Sequence, residues 1–172
     1  MQPMKVPRVL LASALAAFVP LASAQTLIKF SDPKLPFSFS YPQGWVGIDF
    51  KDDTNGVSLL SGKTKPATLV RLLFASKGGR AVNLATEYQN FESGIKTTGA
   101  TIKLLSSKAA SYGGVSGQER EYALTIKEGQ LRLRVWYGNG AKNIYSFQLT
   151  DTPARYTAAS ATFSKILNSV RF

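Results

Sequence analysis

Residues 120–151 read REYALTIKEGQLRLRVWYGNGAKNIYSFQLTD, and how the three strand-like runs in this stretch pair decides the fold. Side chains alternate across a strand, so Arg120, Tyr122, Leu124 and Ile126 share one face, as do Leu131, Leu133, Val135 and Tyr137 on the next run. A two-residue turn at Glu128-Gly129 sets Ile126 opposite Leu131, Leu124 opposite Leu133 and Tyr122 opposite Val135, which brings the apolar faces together. The following turn contains Asn139-Gly140, ordinarily the strongest short hairpin signal. With those residues as the turn, Val135 faces Ile144 and Leu133 faces Ser146, leaving Tyr145, Phe147 and Leu149 on the wrong side. A three-residue loop at Gly140-Ala141-Lys142 pairs Tyr137 with Tyr145, Val135 with Phe147 and Leu133 with Leu149, and is the preferred reading.

Upstream, FSFSYPQGW at 37–45 alternates Phe37, Phe39 and Tyr41 against Ser38 and Ser40. Tyr41-Pro42-Gln43-Gly44 then suits a type I turn, and Trp45 opens a strand WVGIDF as a core residue. The short run LIKFS at 27–31 alternates weakly, and further strands are predicted at 56–61, 67–75 and 101–107. Between them the period changes. Leu84, Tyr88, Phe91 and Ile95 fall on one helical face, with Asn83 as the cap and Gly99 as the end. Downstream, Thr152 and Pro153 read as the cap and first position of a second helix. It carries Tyr156, Ala159, Phe163 and Ile166 inward and ends near Asn168, with Val170 and Phe172 folding back onto the core.

The first residues, MQPMKVPRVLLASALAAFVPLASAQ, have Lys5 and Arg8, an apolar run broken by Pro20, and Ala22-Ser23-Ala24. This is the layout of a secretory signal peptide, with cleavage after Ala24. The run is shorter than the roughly 20 residues of a membrane span. The expectation is therefore a signal peptide at 1–24 and one domain with one core at 25–172, exported to the periplasm or medium, soluble and not membrane-spanning. The absence of cysteine also removes the residue that would anchor a bacterial lipoprotein. Loss of Lys5 and Arg8 lowers the formal charge from +11 to +9. The remaining basic residues are scattered rather than clustered, which argues against a specific nucleic-acid partner and leaves an anionic surface or polymer as an alternative one.

With no histidine and no cysteine, Ser/His/Asp and Cys/His arrangements and zinc sites of those ligands are excluded. No cofactor is indicated, and the expectation is a protein that is not an enzyme. The acidic stretch DFKDDTNG at 49–56 misses the offsets of a calcium loop and reads as a polar turn. Arg132, Arg134 and Trp136 share the face opposite Leu133 and Val135, and Arg71 alternates out of its own strand in a similar way. Arginines beside a tryptophan bind carboxylates, phosphates or acidic patches, so these four are the candidate binding residues. The competing reading buries their stems beneath a helix and pairs their heads with Glu119 and Glu121.

FSFSYPQGW and the closing pattern NIYSFQLTDTPARYTAASATFSKILNSVRF resemble the Mog1/PsbP-like superfamily, in particular its secreted bacterial PsbP- and DcrB-like members. The resemblance implies an α+β fold in which helices flank an antiparallel sheet in an α/β/α sandwich. It also implies accessory or adaptor work through contacts with another envelope protein, without turnover. The metal-linked histidines associated with PsbP have no counterpart in this chain, so a photosynthetic role does not carry over.

Overall fold

The computed structural model describes residues 24–172; the expected signal peptide falls almost wholly outside them. Eleven elements follow in order: β1 (Leu27–Phe30), β2 (Phe39–Pro42), β3 (Val46–Gly47), β4 (Asn55–Leu60), β5 (Leu69–Ser76), α1 (Leu84–Thr97), β6 (Thr101–Tyr112), β7 (Val115–Ile126), β8 (Gly129–Asn139), β9 (Asn143–Asp151) and α2 (Tyr156–Ser169). Strands β3 to β9 form one antiparallel sheet in the order β3-β4-β5-β9-β8-β7-β6, and β1 and β2 pair as a separate ribbon. Helix α2 and the ribbon cover one face, while α1 lies on the other. This is the α+β sandwich expected from the sequence.

The central register differs from the predicted one in two ways. Between β7 and β8 the turn is Lys127-Glu128, so Leu124 pairs with Leu131 and Tyr122 with Leu133. That shift of two residues keeps every side chain on its predicted face. Between β8 and β9 the shift is one residue, and it changes the face. Trp136 pairs with Phe147, Arg134 with Leu149 and Gly138 with Tyr145, and the Gly140 amide donates to the Asn143 carbonyl at 3.0 Å to close a connection at Ala141-Lys142. The three-residue loop is therefore incorrect, because β9 matches its aromatic face to Trp136 and not to Val135.

The physical reason is that the sheet is apolar on both sides. Leu59, Val70, Leu72, Trp136, Phe147 and Leu149 meet Phe163, Ile166 and Leu167 of α2, whereas Tyr122, Leu133, Val135 and Tyr137 meet Tyr88 of α1. Two apolar layers replace the single core expected. The first helix matches its predicted face, and the Asn83 side chain accepts from the amides of Ala85 and Thr86. The second begins later than predicted. Thr152 to Arg155 make a separate turn, closed by the Arg155 amide on the Thr152 carbonyl, and Thr152 donates its amide to Asp151 at 2.7 Å instead of capping.

The FSFSY strand buries Phe37 and Phe39 as predicted, but its turn sits one residue later. The Trp45 amide donates to the Pro42 carbonyl, and Gly44, with φ of 87°, occupies the third position that a type II turn reserves for glycine. Trp45 is only partly buried against the α2 layer, and the strand after it shortens to Val46–Gly47. Strand β6 is longer than predicted and reaches Tyr112. At the C-terminus, Arg171 bridges to Ser38 and Phe172 packs on Tyr145 with centroids 4.4 Å apart.

One close approach fixes the α2-side layer. Gly117 and Gly138 are register partners, and the Trp136 indole lies over both, its Nε1 donating to the Ala110 carbonyl at 2.9 Å. A Cβ on either glycine would overlap the indole. We expect Gly138→Ala to destabilise the protein by about 1–3 kcal/mol, the usual range for overpacking. Gly94→Ala, in open space on α1, should stabilise it by about 0.5–1 kcal/mol. Urea unfolding midpoints of the two variants should therefore move in opposite directions.

Candidate functional site

The four candidate residues do not converge. Arg132, Arg134 and Trp136 face α2, but Arg71 pairs with Gln148, which lies opposite Val135, and so emerges on the α1 side. Trp136 is fully buried and has no surface to offer a ligand. The resemblance between Arg71 and the β8 arginines stops at alternation within each strand. It does not survive the pairing of β5 with β9.

Arg134 occupies a closed polar pocket between the sheet and α2. Its Nη1 donates to the Ser160 carbonyl at 3.0 Å, the Ser160 hydroxyl at 3.1 Å and the Ser164 hydroxyl at 2.7 Å. Its Nη2 donates to Glu119 Oε2 at 2.9 Å and to the Tyr112 hydroxyl at 3.3 Å. Tyr112 in turn donates to the same carboxylate oxygen at 2.9 Å, and Lys108 Nζ lies 3.2 Å from the other. Glu119 is 1% exposed and Arg134 6%, so this pair is internal structure and not a docking surface. Arg132, next along the strand, reaches Glu121 at 3.4 Å and lies 4.5 Å from the centre of the Tyr156 ring. The competing reading of these arginines, as stems under a helix with heads on Glu119 and Glu121, describes the geometry.

Burial pushes the Glu119 carboxyl up, but the hydrogen bond and charge of Arg134, joined by Tyr112 and Lys108, outweigh it and hold the group below its ordinary value of 4.5. A carboxyl with a depressed folded pKa contributes stability that is fully present above its unfolded pKa and is lost as pH falls through the folded value.

Arg71 is held in a second, more open arrangement. Its Nη2 donates to Asp52 at 2.8 Å and to the Thr54 hydroxyl at 2.9 Å, and its Nε to the Ser58 hydroxyl at 3.1 Å. Its guanidinium sits 4.7 Å from the centre of the Phe50 ring. The Thr54 hydroxyl also donates to Asp52; this bond, followed by that from Arg71, lowers the Asp52 carboxyl from its ordinary range. The acidic stretch at 49–56 is thus most of the loop between β3 and β4 and the first two residues of β4, tied down by Arg71, with Asp49 on Lys51 at 2.8 Å.

A surface that the sequence reading passed over is the outer edge of β6. This strand ends the sheet, and its far side has no strand partner among the described residues. The register slips between Leu104 and Ser106, making Leu105 the extra residue of a bulge, and Leu104 and Leu105 are 46% and 43% exposed. The edge carries Lys103 and Lys108 and no acidic residue. An adjacent leucine pair inside a strand is the signal that the sequence offers, and it reads equally well as core.

Comparison with solved structures places the fold among known ones. The chain is similar to the solution structure of cyanobacterial PsbP (CyanoP) from Synechocystis sp. PCC 6803, with a TM-score of 0.68 at 17% identity over 87% of this chain and 94% of that one. It is also similar to LpqN, described as involved in cell envelope biogenesis of Mycobacterium tuberculosis, with a TM-score of 0.62 at 12% identity over 86% and 90% of the two chains. PA94 of Pseudomonas aeruginosa, a protein of unknown function described as a putative regulator, gives 0.53 at 13% identity over 81% and 92%. No family model and no curated protein matches the sequence. The chain therefore has a PsbP-like fold, as its two quoted motifs led one to expect.

Removing the Glu119 charge leaves Arg134 buried without a counter-charge. Glu119→Gln should cost about 3–5 kcal/mol, and replacing both residues by Leu and Met should recover most of that loss. In the parent protein the Glu119 contribution should disappear as pH falls below about 4.5, so the acid limb of an unfolding free energy against pH profile should be steeper in the parent than in the double variant.

Proposed function

We propose that the protein is a non-enzymatic accessory or adaptor protein of the cell envelope, exported to the periplasm or medium, that works by contact with another envelope protein. The observation that carries this reading is the free edge of β6, twelve residues long, with two exposed leucines at its bulge. Unpaired strand edges recruit extended segments by adding a strand, with main-chain hydrogen bonds supplying affinity and side-chain pockets supplying choice. Lys103 of this edge makes no ion pair among the described residues, and a second copy would bring two such ammonium groups together, so the charge favours a partner segment containing Asp or Glu. The lack of histidine and cysteine and a PsbP-like fold shared with an envelope-biogenesis protein both support binding over turnover. Among the described residues no helix is long and apolar enough to cross a membrane.

The net positive charge favours a second reading, attachment to an anionic surface or polymer through scattered lysines.

The test is capture from cross-linked cell envelopes at low and at moderately high salt, using the parent protein and Leu104→Ser/Leu105→Ser, with retained material identified by mass spectrometry. A discrete protein held at both salts by the parent and lost by the double variant, whose unfolding midpoint should be unchanged, is the expected result. Retention of lipid, polysaccharide or nucleic acid alone, all released by salt, would replace the protein-contact reading with the electrostatic one.

A further inference from the structure

The face of the sheet that α1 leaves uncovered contains a groove of about 560 Å³, within the roughly 300–1,000 Å³ of small-molecule sites. Its floor is apolar. Leu60 and Leu69 are register partners on β4 and β5, Thr150 pairs with Leu69 from β9, and Leu131 of β8 closes the end. Its roof is the loop between Ser61 and Thr68, which contributes Pro66 and Ala67 and carries Lys63 and Lys65 at the rim.

The roof is fixed independently of any ligand. Ser61 and Thr68 close the loop through the Ser61 amide on the Thr68 carbonyl at 3.0 Å and the Thr68 amide on the Ser61 hydroxyl at 2.8 Å. From the first residue before α2, Arg155 donates Nη1 to the Pro66 carbonyl at 2.9 Å and Nη2 to the Thr68 hydroxyl at 3.2 Å, while its Nε rests on Asp151 at 3.2 Å. The Thr68 hydroxyl donates to Asp151 Oδ2 at 2.6 Å. A buried carboxylate and an arginine thus clasp a surface loop over an apolar floor, and the opening exists before anything enters it.

The charge at the opening has one sign. Lys63 and Lys65 are exposed and make no ion pair among the described residues. Asp151, the acidic residue of the lining, is 3% exposed, with both oxygens engaged by Thr152, Thr68 and Arg155. An apolar floor takes a hydrocarbon chain, and two unpaired ammonium groups at its mouth take an anionic head. A small polar anion would leave the floor unfilled, and a cationic amphiphile would meet repulsion at the rim.

We propose that this groove binds a free single-chain anionic amphiphile of the fatty-acid class, with the chain along Leu60, Leu69 and Leu131 and the carboxylate at Lys63 and Lys65. Calorimetric titration of the purified protein with dodecanoate, below its micelle-forming concentration, tests it. The expected result is saturable one-to-one binding, weakened about tenfold or more in Lys63→Glu/Lys65→Glu, since each ammonium supplies a charge-assisted contact. Binding should be abolished in Ala67→Trp, which fills the groove, and unchanged in Lys34→Glu/Lys165→Glu, which alters net charge equally at exposed positions outside the groove lining. If Ala67→Trp proves unfolded by its urea midpoint, the two lysine variants decide alone. The proposal is overturned by absence of saturable binding, by equal affinity for dodecyltrimethylammonium, by equal loss in the two lysine double variants, or by binding to anionic phospholipid vesicles without binding to dodecanoate.

Discussion

The single-residue register between β8 and β9 is the constraint from which the remaining architecture follows. Because Trp136 pairs with Phe147 and Arg134 with Leu149, the aromatic side chains of β9 join Val70 and Leu72 beneath α2. The opposite register would send Phe147 and Leu149 to the α1 side and leave α2 without a floor, since a slip of one residue inverts every side chain of a strand. Trp136 holds this register in place. Its indole spans Gly117 of β7 and Gly138 of its own strand and is tethered to the Ala110 carbonyl of β6, so one side chain ties three strands.

The same register explains why an apolar layer contains a buried ion pair. Arg134 is two residues from Trp136, on the face that α2 must cover, and its head can be satisfied there only by polar groups that converge on it. Ser160 and Ser164, one turn apart on α2, supply hydroxyls to a single guanidinium nitrogen, and Glu119 of β7 supplies the charge. Both serines belong to the helix face that packs against the sheet, where small residues also let the backbone approach. Such a pair is weak evidence of net stability, but it admits one arrangement of α2 on the sheet. Sliding the helix by a turn would carry one of the two serines out of reach of Nη1 and leave only Glu119 and Tyr112 undisturbed on Nη2.

Much of the layer order was legible because it rests on short-range spacing. Leu84, Tyr88, Phe91 and Ile95 state a helix whatever they pack against, Asn83 states its start, and the alternation in β7 and β8 states two strands. Register was legible only where one face was apolar and the other polar. In β8 both faces are buried at the middle, so the alternation of β9 carries no sign as to which face of β8 its apolar side joins, and matching Val135 to Phe147 satisfied the pattern as well as the true pairing did. The start of α2 was misplaced because the Asp151 carboxylate, serving Thr68 and Arg155 across the fold, also takes the Thr152 amide that a local cap would leave exposed. The dispersal of the four candidate binding residues was illegible for the same reason. Nothing local to LRLRVWY records that Glu119, Tyr112, Ser160 and Ser164 meet around one of its arginines, or that Arg71 lies beyond the sheet from it.

Coverage of the sheet then determines where function can reside. Seven strands about 4.8 Å apart make a surface roughly 29 Å wide, and a helix about 10 Å across hides some two strand spacings of it. On the α2 side, the β1–β2 ribbon and the C-terminal residues Val170 and Phe172 fill the remainder. On the α1 side the helix sits over β6 and β8, and β4, β5 and β9 are left to side chains that manage exposure themselves. Arg71, Ser58 and Gln148 do so with polar contacts in the middle of these strands. Leu60 and Leu69 at their end do so under a loop pinned from α2's first turn. On the α1 face this geometry leaves apolar surface uncovered at the bulged edge beyond α1 and in the roofed groove at the opposite side. A strand edge offers main-chain hydrogen bonds and suits a polypeptide, whereas a roofed floor without free main-chain donors suits a hydrocarbon chain, so the two surfaces select different classes of partner.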